Sequence, residues 1–331
     1  MSPTGDPSSV SSTPLLLARQ RTLLALLHAL GGNVGNLDFQ KLLFLYCKQL
    51  CTDTDGPRIS PYEFVPYRFG AFSFTCYADR RRLMEQGLLM DDSQKWVLSE
   101  HGTGIAEASH DRGMSAFAHR YQGLRGHALI AETYRRYPYY AIRSEVAGDV
   151  LGKDSIALSR ILEARPVASS SQLFTIGYQG RTLESYLSVL IQQGVTLLCD
   201  VRKNAISRKY GFSKRTLARA CEGVGIRYEH LPELGIESRQ RKGLKTPSEF
   251  KALFSSYERS ILPQQEAALD RIRAWLRAGD SVALTCFERE AGQCHRHCVA
   301  GTLAQVSESI DHSDGSTGAE LDDQGYIARH L

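Results

Sequence analysis

The sequence lacks several features that would assign it to a broad class of protein. No apolar run approaches the length of about 18 residues that a membrane span needs, so we predict no membrane contact. The first 13 residues have no basic segment before an apolar one and predict a disordered tail, not a signal peptide. The eight cysteines lack the spacing of a secreted disulfide framework and predict reduced thiols in the cytoplasm.

A large excess of charge is also missing. The net charge is +4 over 331 residues, so the whole chain is not a polycation, and local clusters of basic residues matter more. A chain of this length can hold two domains, each with its own core. We predict a helical connector over residues 106–171, with a linker near its end, and a polar, acidic tail over residues 306–331.

Residues 14–105 show the pattern helix, helix, helix and hairpin. Apolar residues recur at helical spacing over residues 14–30 and 37–50, and Ser73 can cap a third helix that runs to residue 86. The apolar stretches 87–90 and 95–98 flank a charged turn and predict two paired strands. This order is typical of a winged-helix domain.

The same region carries the sequences QKLLFLY at residues 40–46, YRFGAFS at 67–73 and GLL at 87–89. With these it resembles small prokaryotic winged-helix proteins, and the resemblance implies contact with nucleic acid. Arg80 and Arg81 on the third helix would then meet phosphates. Alternatives are a solvated helix face, dimerisation, or docking onto a second domain.

Residues 172–305 alternate between apolar strands and helices. The expected strands are residues 173–176, 195–199, 226–230 and 282–286. This order predicts an α/β fold, an open and mostly parallel sheet with flanking helices, preceded by the α-rich winged-helix domain. The segment GYQGRT after the first strand lacks the third glycine of a dinucleotide fingerprint, and we predict no cofactor.

Reactive side chains follow the carboxyl ends of these strands. The strand over residues 282–286 ends on Cys286 and is followed by Glu288, and residues 294–298 read Cys-His-Arg-His-Cys. Because the carboxyl ends of parallel strands share one edge of a sheet, we expect these groups to lie near Asp200 and His230. The predicted catalytic residues are Asp200, Glu288, Cys286 and His295.

Basic residues dominate the loops between residues 202 and 245, where acidic residues are few. Loops at the carboxyl edge would surround the site with positive potential, which favours DNA, or RNA, as the partner. A merely solvated basic surface is the alternative. Phe287 joins the aromatic residues that could stack on a base. The predicted binding residues are Tyr178, Arg181, Arg202, Arg208, Lys209, Tyr210, Phe212, Lys214, His230 and Arg296.

Five motifs over residues 172–305 resemble the domain-of-unknown-function family numbered 488. They are the TIGY-x-G-R start, the DVR strand end, the S-R-x-x-G-F-S-K loop, the H-x-P-x-L-G segment and the C-x-E…C-H-R loop. The resemblance implies an intracellular prokaryotic α/β domain that works around nucleic acid. It does not specify a reaction.

Four functions fit these residues. Our first prediction is a DNA glycosylase that excises modified bases, in repair or in defence against phage, with carboxylates at Asp200 and Glu288. A rhodanese-like enzyme with Cys286 as nucleophile is the second, although the loop is not the Cys-x5-Arg cradle of phosphatases. A DNA-binding regulator whose α/β domain senses a ligand is another.

The remaining alternative is a zinc site. Soft ligands are dense in this loop, but their spacing matches no common zinc module, so we predict no metal. The residues concerned are Cys286, Cys294, His295, His297 and Cys298.

Overall fold

Helices make up most of the first half of the chain. The computed structural model describes residues 15–52, 59–109, 111–166, 171–309 and 328–331, so the predicted tail over residues 1–13, most of the linker and most of the C-terminal tail lie outside the described residues. The helices are α1 (Ala18–Ala29), α2 (Asn36–Cys51), α3 (Phe74–Glu85), α4 (Glu100–Ala108), α5 (Arg112–Arg120), α6 (Gly126–Arg136), α7 (Ala147–Leu151) and α8 (Ser155–Glu163). The strands are β1 (Asn33–Gly35), β2 (Val65–Tyr67), β3 (Gly70–Phe72) and β4 (Lys95–Val97).

Strands and helices alternate in the second half. The strands are β5 (Leu173–Gly177), β6 (Leu197–Asp200), β7 (Arg227–His230), β8 (Val282–Cys286) and β9 (Arg329–His330). The helices are α9 (Leu183–Gln192), α10 (Lys214–Gly223), α11 (Ser238–Arg241), α12 (Pro247–Ser260), α13 (Glu266–Arg277) and α14 (Arg296–Ser309). An α-rich region followed by an α/β region confirms the predicted fold class.

The chain forms two compact units. The first takes its described residues from Met1–Tyr62 and Cys76–Ile130, and the second from Glu63–Thr75 and Ala131–Leu331. The division therefore does not fall at the predicted linker near residues 166–172. Glu63–Thr75 belongs to the second unit because Glu184 at the start of α9 accepts hydrogen bonds from the Ser73 hydroxyl at 3.0 Å and the Thr75 amide at 2.7 Å.

In the first unit, β1 pairs with β4 in antiparallel register. The predicted wing forms in part, since the 87–90 segment joins 95–98 through the single bridge Leu89–Leu98. Phe39 of α2 packs on the buried Trp96 of β4, with ring centroids 4.5 Å apart. The described helices contain none that is long and apolar enough to cross a membrane.

The second unit is built on a parallel sheet with strand order β7-β6-β8-β5-β9. β5, β6 and β8 are buried along their whole length, as expected for strands covered on both faces. The edge strand β9 was not predicted; it pairs with Phe174 and Thr175 of β5.

Local sequence sets the starts of the flanking helices. The Thr182 hydroxyl accepts the Ser185 amide at 3.0 Å and begins α9. Thr246 and Glu249 form a capping box at the start of α12, where Pro247 stands at the first helical position. The apolar faces of α12, α13 and α14 pack with the strands in one core. This core holds the carboxyl ends of β6 and β8 beside each other.

Candidate functional site

The carboxyl edge of the sheet brings the predicted catalytic residues into two groups. In the β-sheet register, Gly177 lies beside Cys286, and Asp200 lies between Thr285 and His230. The expected convergence of four strand ends is therefore observed. The contacts of Asp200 and of Cys286, however, are separate.

The first group is an ion pair. Asp200 is fully buried and accepts from the Arg202 side chain at 2.8 Å (Nε) and 2.5 Å, from the Arg202 amide at 3.1 Å and from the Tyr228 hydroxyl at 2.7 Å. Arg202 also donates to the Tyr178 hydroxyl and the Phe212 carbonyl, both at 2.9 Å. The Asp200 carboxylate beside it raises the pKa of Arg202 above its usual value even though burial opposes this. Both oxygens of Asp200 therefore accept hydrogen bonds within the protein, and Asp200 positions Arg202. This arrangement does not support the predicted role of Asp200 as a carboxylate that touches a substrate.

The aromatic residues predicted to stack on a base stack on each other. The Tyr178 and Phe212 ring centroids lie 4.3 Å apart, the ring planes are nearly parallel, and both side chains are buried. The Arg202 guanidinium lies 5.1 Å from the Tyr178 ring centroid, and Lys209 donates to the Tyr178 carbonyl at 3.0 Å. Neither ring offers a free face to a base.

The second group is centred on Cys286, at the end of β8. Its Sγ lies 3.4 Å from Glu288 Oε2 and 3.9 Å from His295 Nδ1, and Cys294 Sγ lies 3.8 Å from the same nitrogen. His295 Nε2 faces the Val201 carbonyl at 2.9 Å and donates to it, which leaves the lone pair of neutral His295 on Nδ1. A buried thiol, a buried imidazole and a half-buried carboxyl group therefore lie together.

Arg241 completes this group and was not singled out by the sequence reasoning. Its guanidinium donates to Glu288 Oε1 at 2.7 Å and to His295 Nδ1 at 2.5 Å. The sequence signal was weak, because Arg241 is one of many basic residues in the loops between 202 and 245 and lies far from Cys286 along the chain. Its positive charge favours an anionic thiolate at Cys286.

The thiol pKa values separate Cys286 from its neighbours. A hydrogen bond from Cys294, together with His295 and Arg241, holds the pKa of Cys286 well below its usual value although burial opposes this. Burial raises the pKa of Cys294 well above the ordinary range, and the Cys286 charge adds to this. Burial and the Cys286 charge also raise the pKa of Glu288. These opposite directions favour ionisation of Cys286 over ionisation of Cys294.

Arg296 has a structural role that differs from the predicted contact with phosphate. It is buried and donates to the carbonyls of Glu288 at 2.5 Å and Arg289 at 2.8 Å, which fixes the loop after β8. This loop presses on β5, since a Cβ at Gly177 would lie 1.8 Å from the Glu288 carbonyl oxygen. The glycine at the end of β5 is what allows the loop to approach.

The other predicted binding residues divide between packing and exposure. His230 Nε2 lies 2.8 Å from the Arg202 carbonyl and its Nδ1 lies 3.1 Å from Lys214 Nζ. Tyr210 donates to the Phe74 carbonyl at 3.0 Å. Arg208 is exposed and Arg181 half-buried, so both remain available to a ligand. Phe287 is 45% exposed beside the Cys286 group and touches Tyr178 edge-on.

Arg80 and Arg81 lie on α3 in the first unit. Arg80 donates to the carbonyls of Asp92 and Lys95, and its guanidinium covers the Trp96 ring at 5.1 Å. It therefore holds β4, which does not support the predicted phosphate contact. Arg81 is exposed.

A cavity of about 650 Å³ opens next to the Cys286 group. Glu288 lies in its wall, so the carboxyl group connects the buried thiol to the cavity. Phe250 and Phe254 supply apolar surface, and Lys245 and Lys251 supply positive charge. This composition suits a small anionic ligand with an apolar part.

The five residues of the alternative zinc site separate into two groups. Cys286, Cys294 and His295 have ligand atoms within 4.8 Å of one another, and His297 and Cys298 have theirs near Glu258 instead. In the first group the Arg241 guanidinium already donates to His295 Nδ1. A cation there would have to displace another cation, so this group suits a thiolate better than a metal ion.

Fold and site together define an α/β domain with a cysteine, histidine and carboxyl cluster at the carboxyl edge of a parallel sheet. Residues 182–303 match the model of the family described as "Domain of unknown function DUF488", and the predicted resemblance is confirmed for this segment. The TIGY-x-G-R motif precedes the matched residues, and the winged-helix resemblance of residues 14–105 stays a prediction. No curated protein matches the chain significantly, and neither does any solved structure.

Proposed function

We propose that the second unit is a rhodanese-like sulfurtransferase in which Cys286 is the nucleophile. The observation that carries the proposal is the set of groups around Cys286 Sγ: Glu288 at 3.4 Å, His295 Nδ1 at 3.9 Å and the guanidinium of Arg241. In this setting Cys294 and the positive charge of Arg241 favour a Cys286 thiolate, which is the nucleophilic form of cysteine.

The burial of Cys286 limits the substrate. The residue is 2% exposed, which excludes a bulky group such as an extruded base from Sγ and restricts the proposed substrate to a small donor. A sulfane donor such as thiosulfate is an anion, and Arg241 with Lys245 and Lys251 would favour its approach. Free thiols at all eight cysteines support a reducing cytoplasmic location for this chemistry.

The reaction balances in two displacements. The Cys286 thiolate attacks the outer sulfur of thiosulfate, a sulfur–sulfur bond forms at Cys286, the bond to the sulfonate sulfur breaks, and sulfite leaves. An acceptor thiolate then attacks the terminal sulfur of the Cys286 persulfide, takes that sulfur and releases the Cys286 thiolate. The positive charge of Arg241 stabilises the Cys286 thiolate before and after each displacement.

The test is sulfur loading of the full-length protein. After incubation with thiosulfate, mass spectrometry should find one added sulfur on the Cys286 peptide, and sulfite should be released in equal amount. Cys286→Ser should abolish both, and Cys221→Ser, at a buried thiol on α10, should leave both unchanged. Sulfite release by Cys286→Ser, or no sulfur on Cys286 in the native protein, would overturn the proposal.

Excision of bases from DNA is the second candidate, and Glu288 is the observation that favours it. The raised pKa of Glu288 suits a general acid, and the residue borders a cavity with aromatic and basic walls. Asp200 is unavailable as the second carboxylate, so Glu288 would act alone. The measurement is mass spectrometry of free bases after incubation with modified and unmodified DNA; release that survives Glu288→Gln would contradict this function.

A further inference from the structure

A second cluster of metal-ligating side chains is separate from the Cys286 group. The ligand atoms of Glu258 on α12 and of His297 and Cys298 on α14 lie within 4.8 Å of one another. We propose that these three residues bind a divalent zinc-class cation, with a fourth coordination position open to the neighbouring cavity. The proposal does not depend on sulfur transfer at Cys286.

The orientation of His297 supports metal binding. Its Nδ1 faces the Cys294 carbonyl at 2.6 Å and donates to it, which fixes the tautomer with the lone pair on Nε2. The lone pair points towards Cys298, whose Sγ is 3.5 Å from Nε2. An outer hydrogen bond from the distal ring nitrogen to a carbonyl is the usual way in which proteins orient a ligating histidine.

The separation of the two donor atoms fits a tetrahedral metal ion. Zinc bonds of about 2.3 Å to sulfur and about 2.0–2.1 Å to nitrogen place those two atoms about 3.6 Å apart at a tetrahedral angle. The observed distance from Cys298 Sγ to His297 Nε2 is 3.5 Å. Binding would therefore require little movement of the buried start of α14, and the exposed Glu258 side chain can adjust to complete the set.

The surroundings leave room for a fourth ligand. Glu258 and His297 both line the cavity of about 650 Å³, so the open side of the cluster faces solvent. Three protein ligands and one open position are typical of catalytic zinc sites, and a thiolate with a carboxylate balances the charge of the ion. Lys245 and Lys251 in the same cavity favour an anion as the fourth ligand.

Packing around the cluster is rigid on the histidine side. The Phe254 ring meets the His297 ring edge-on with centroids 5.2 Å apart, and Cys298 is 1% exposed. A ring held by both a carbonyl and an aromatic neighbour pre-organises the site. The Cys286 group differs, because there Arg241 already donates to the histidine nitrogen that would bind metal.

The experiment is a titration of chelator-treated, full-length protein with cobalt(II), whose thiolate complexes absorb in the near ultraviolet. We expect one cobalt per chain, a thiolate-to-cobalt band and displacement of the cobalt by zinc. Glu258→Gln, His297→Asn and Cys298→Ala should each weaken binding by more than about 100-fold, since loss of an outer partner alone costs about 10–100-fold. Glu258 lies on the surface, so Glu258→Gln tests the site without disturbing the core.

Two matched controls locate the metal. Cys286→Ala and Cys294→Ala should retain the cobalt band with unchanged affinity, because neither sulfur belongs to the proposed ligand set. If these two variants lose the band and Cys298→Ala keeps it, the metal lies in the other cluster and the proposal is wrong. Absence of stoichiometric cobalt and zinc binding to the native protein would also overturn it.

Discussion

Removal of the Arg202 guanidinium should destabilise the second unit strongly. In Arg202→Met, Asp200 loses its side-chain hydrogen bonds at 2.5–3.1 Å and its counter-ion, and keeps only the Arg202 amide and the Tyr228 hydroxyl as the donors described above. The carboxylate is fully buried and cannot exchange the lost partner for water without opening the core. Its charge is then left without compensation.

Breaking a buried ion pair by removal of one partner costs about 3–5 kcal/mol. The two remaining donors to Asp200 place the expected loss at the lower end, about 3 kcal/mol. For a unit of this size each kcal/mol lowers the melting temperature by about 2–4 °C, so we expect a decrease of about 6–12 °C. Urea unfolding followed by circular dichroism measures the free energy, and calorimetry measures the temperature.

Arg227→Met is the matched control. Arg227 pairs with Asp280 at 2.6 Å, close to the 2.5 Å of the Arg202 pair, but its side chain is 53% exposed. An exposed pair contributes about 0–1 kcal/mol, so this variant should unfold almost like the native protein. If Arg202→Met also costs less than about 1 kcal/mol, the reasoning from burial is refuted and Asp200 is free for a direct catalytic role.

Three further predictions concern other parts of the chain. Cys286 should ionise in the native protein well below the pH of about 8.5 at which thiols ionise in unfolded chains, because its pKa is lowered. The ultraviolet absorbance of the thiolate, measured as the difference between the native protein and Cys286→Ser in native buffer and in urea, gives the two pH profiles. Identical midpoints would contradict the thiolate. Gly177→Ala should abolish folding of the site, since the new Cβ would lie 1.8 Å from the Glu288 carbonyl oxygen. The control Gly301→Ala, at an exposed position of α14, should stabilise the folded protein by up to about 1 kcal/mol. Circular dichroism and sulfur loading compare the two variants, and an active Gly177→Ala protein would disprove the close approach. Burial lowers the pKa of Lys41 to about 7, so between pH 7 and about 10 the unfolded chain binds more protons than the folded one. The stability of the first unit should therefore rise with pH over this range, by up to about 1.4 kcal/mol per pH unit, and Lys41→Met should lose this rise. Denaturant unfolding at several pH values tests this, and a flat profile for the native protein would contradict it.

Sequence pattern alone determined the scaffold of the site. Apolar runs that alternate with amphipathic helices indicate strands buried on both faces of a parallel sheet, and the apolar pattern can be recognised within each segment alone. From it the positions of Asp200 and Cys286 at one sheet edge followed directly. The confirmed match over residues 182–303 adds to this without assigning a reaction.

Only the tertiary structure decided which side chains act together. Arg241 joins the Cys286 group from a short helix that is far away in sequence, and Glu258 lies near Cys298 from another helix. Asp200 forms an ion pair with Arg202, two residues later. Partner choice depends on distances across packed elements and on which charges lose their water, and neither is encoded in the spacing of residue types. The fold class could therefore be read from local periodicity, whereas the chemistry of the site required the packing.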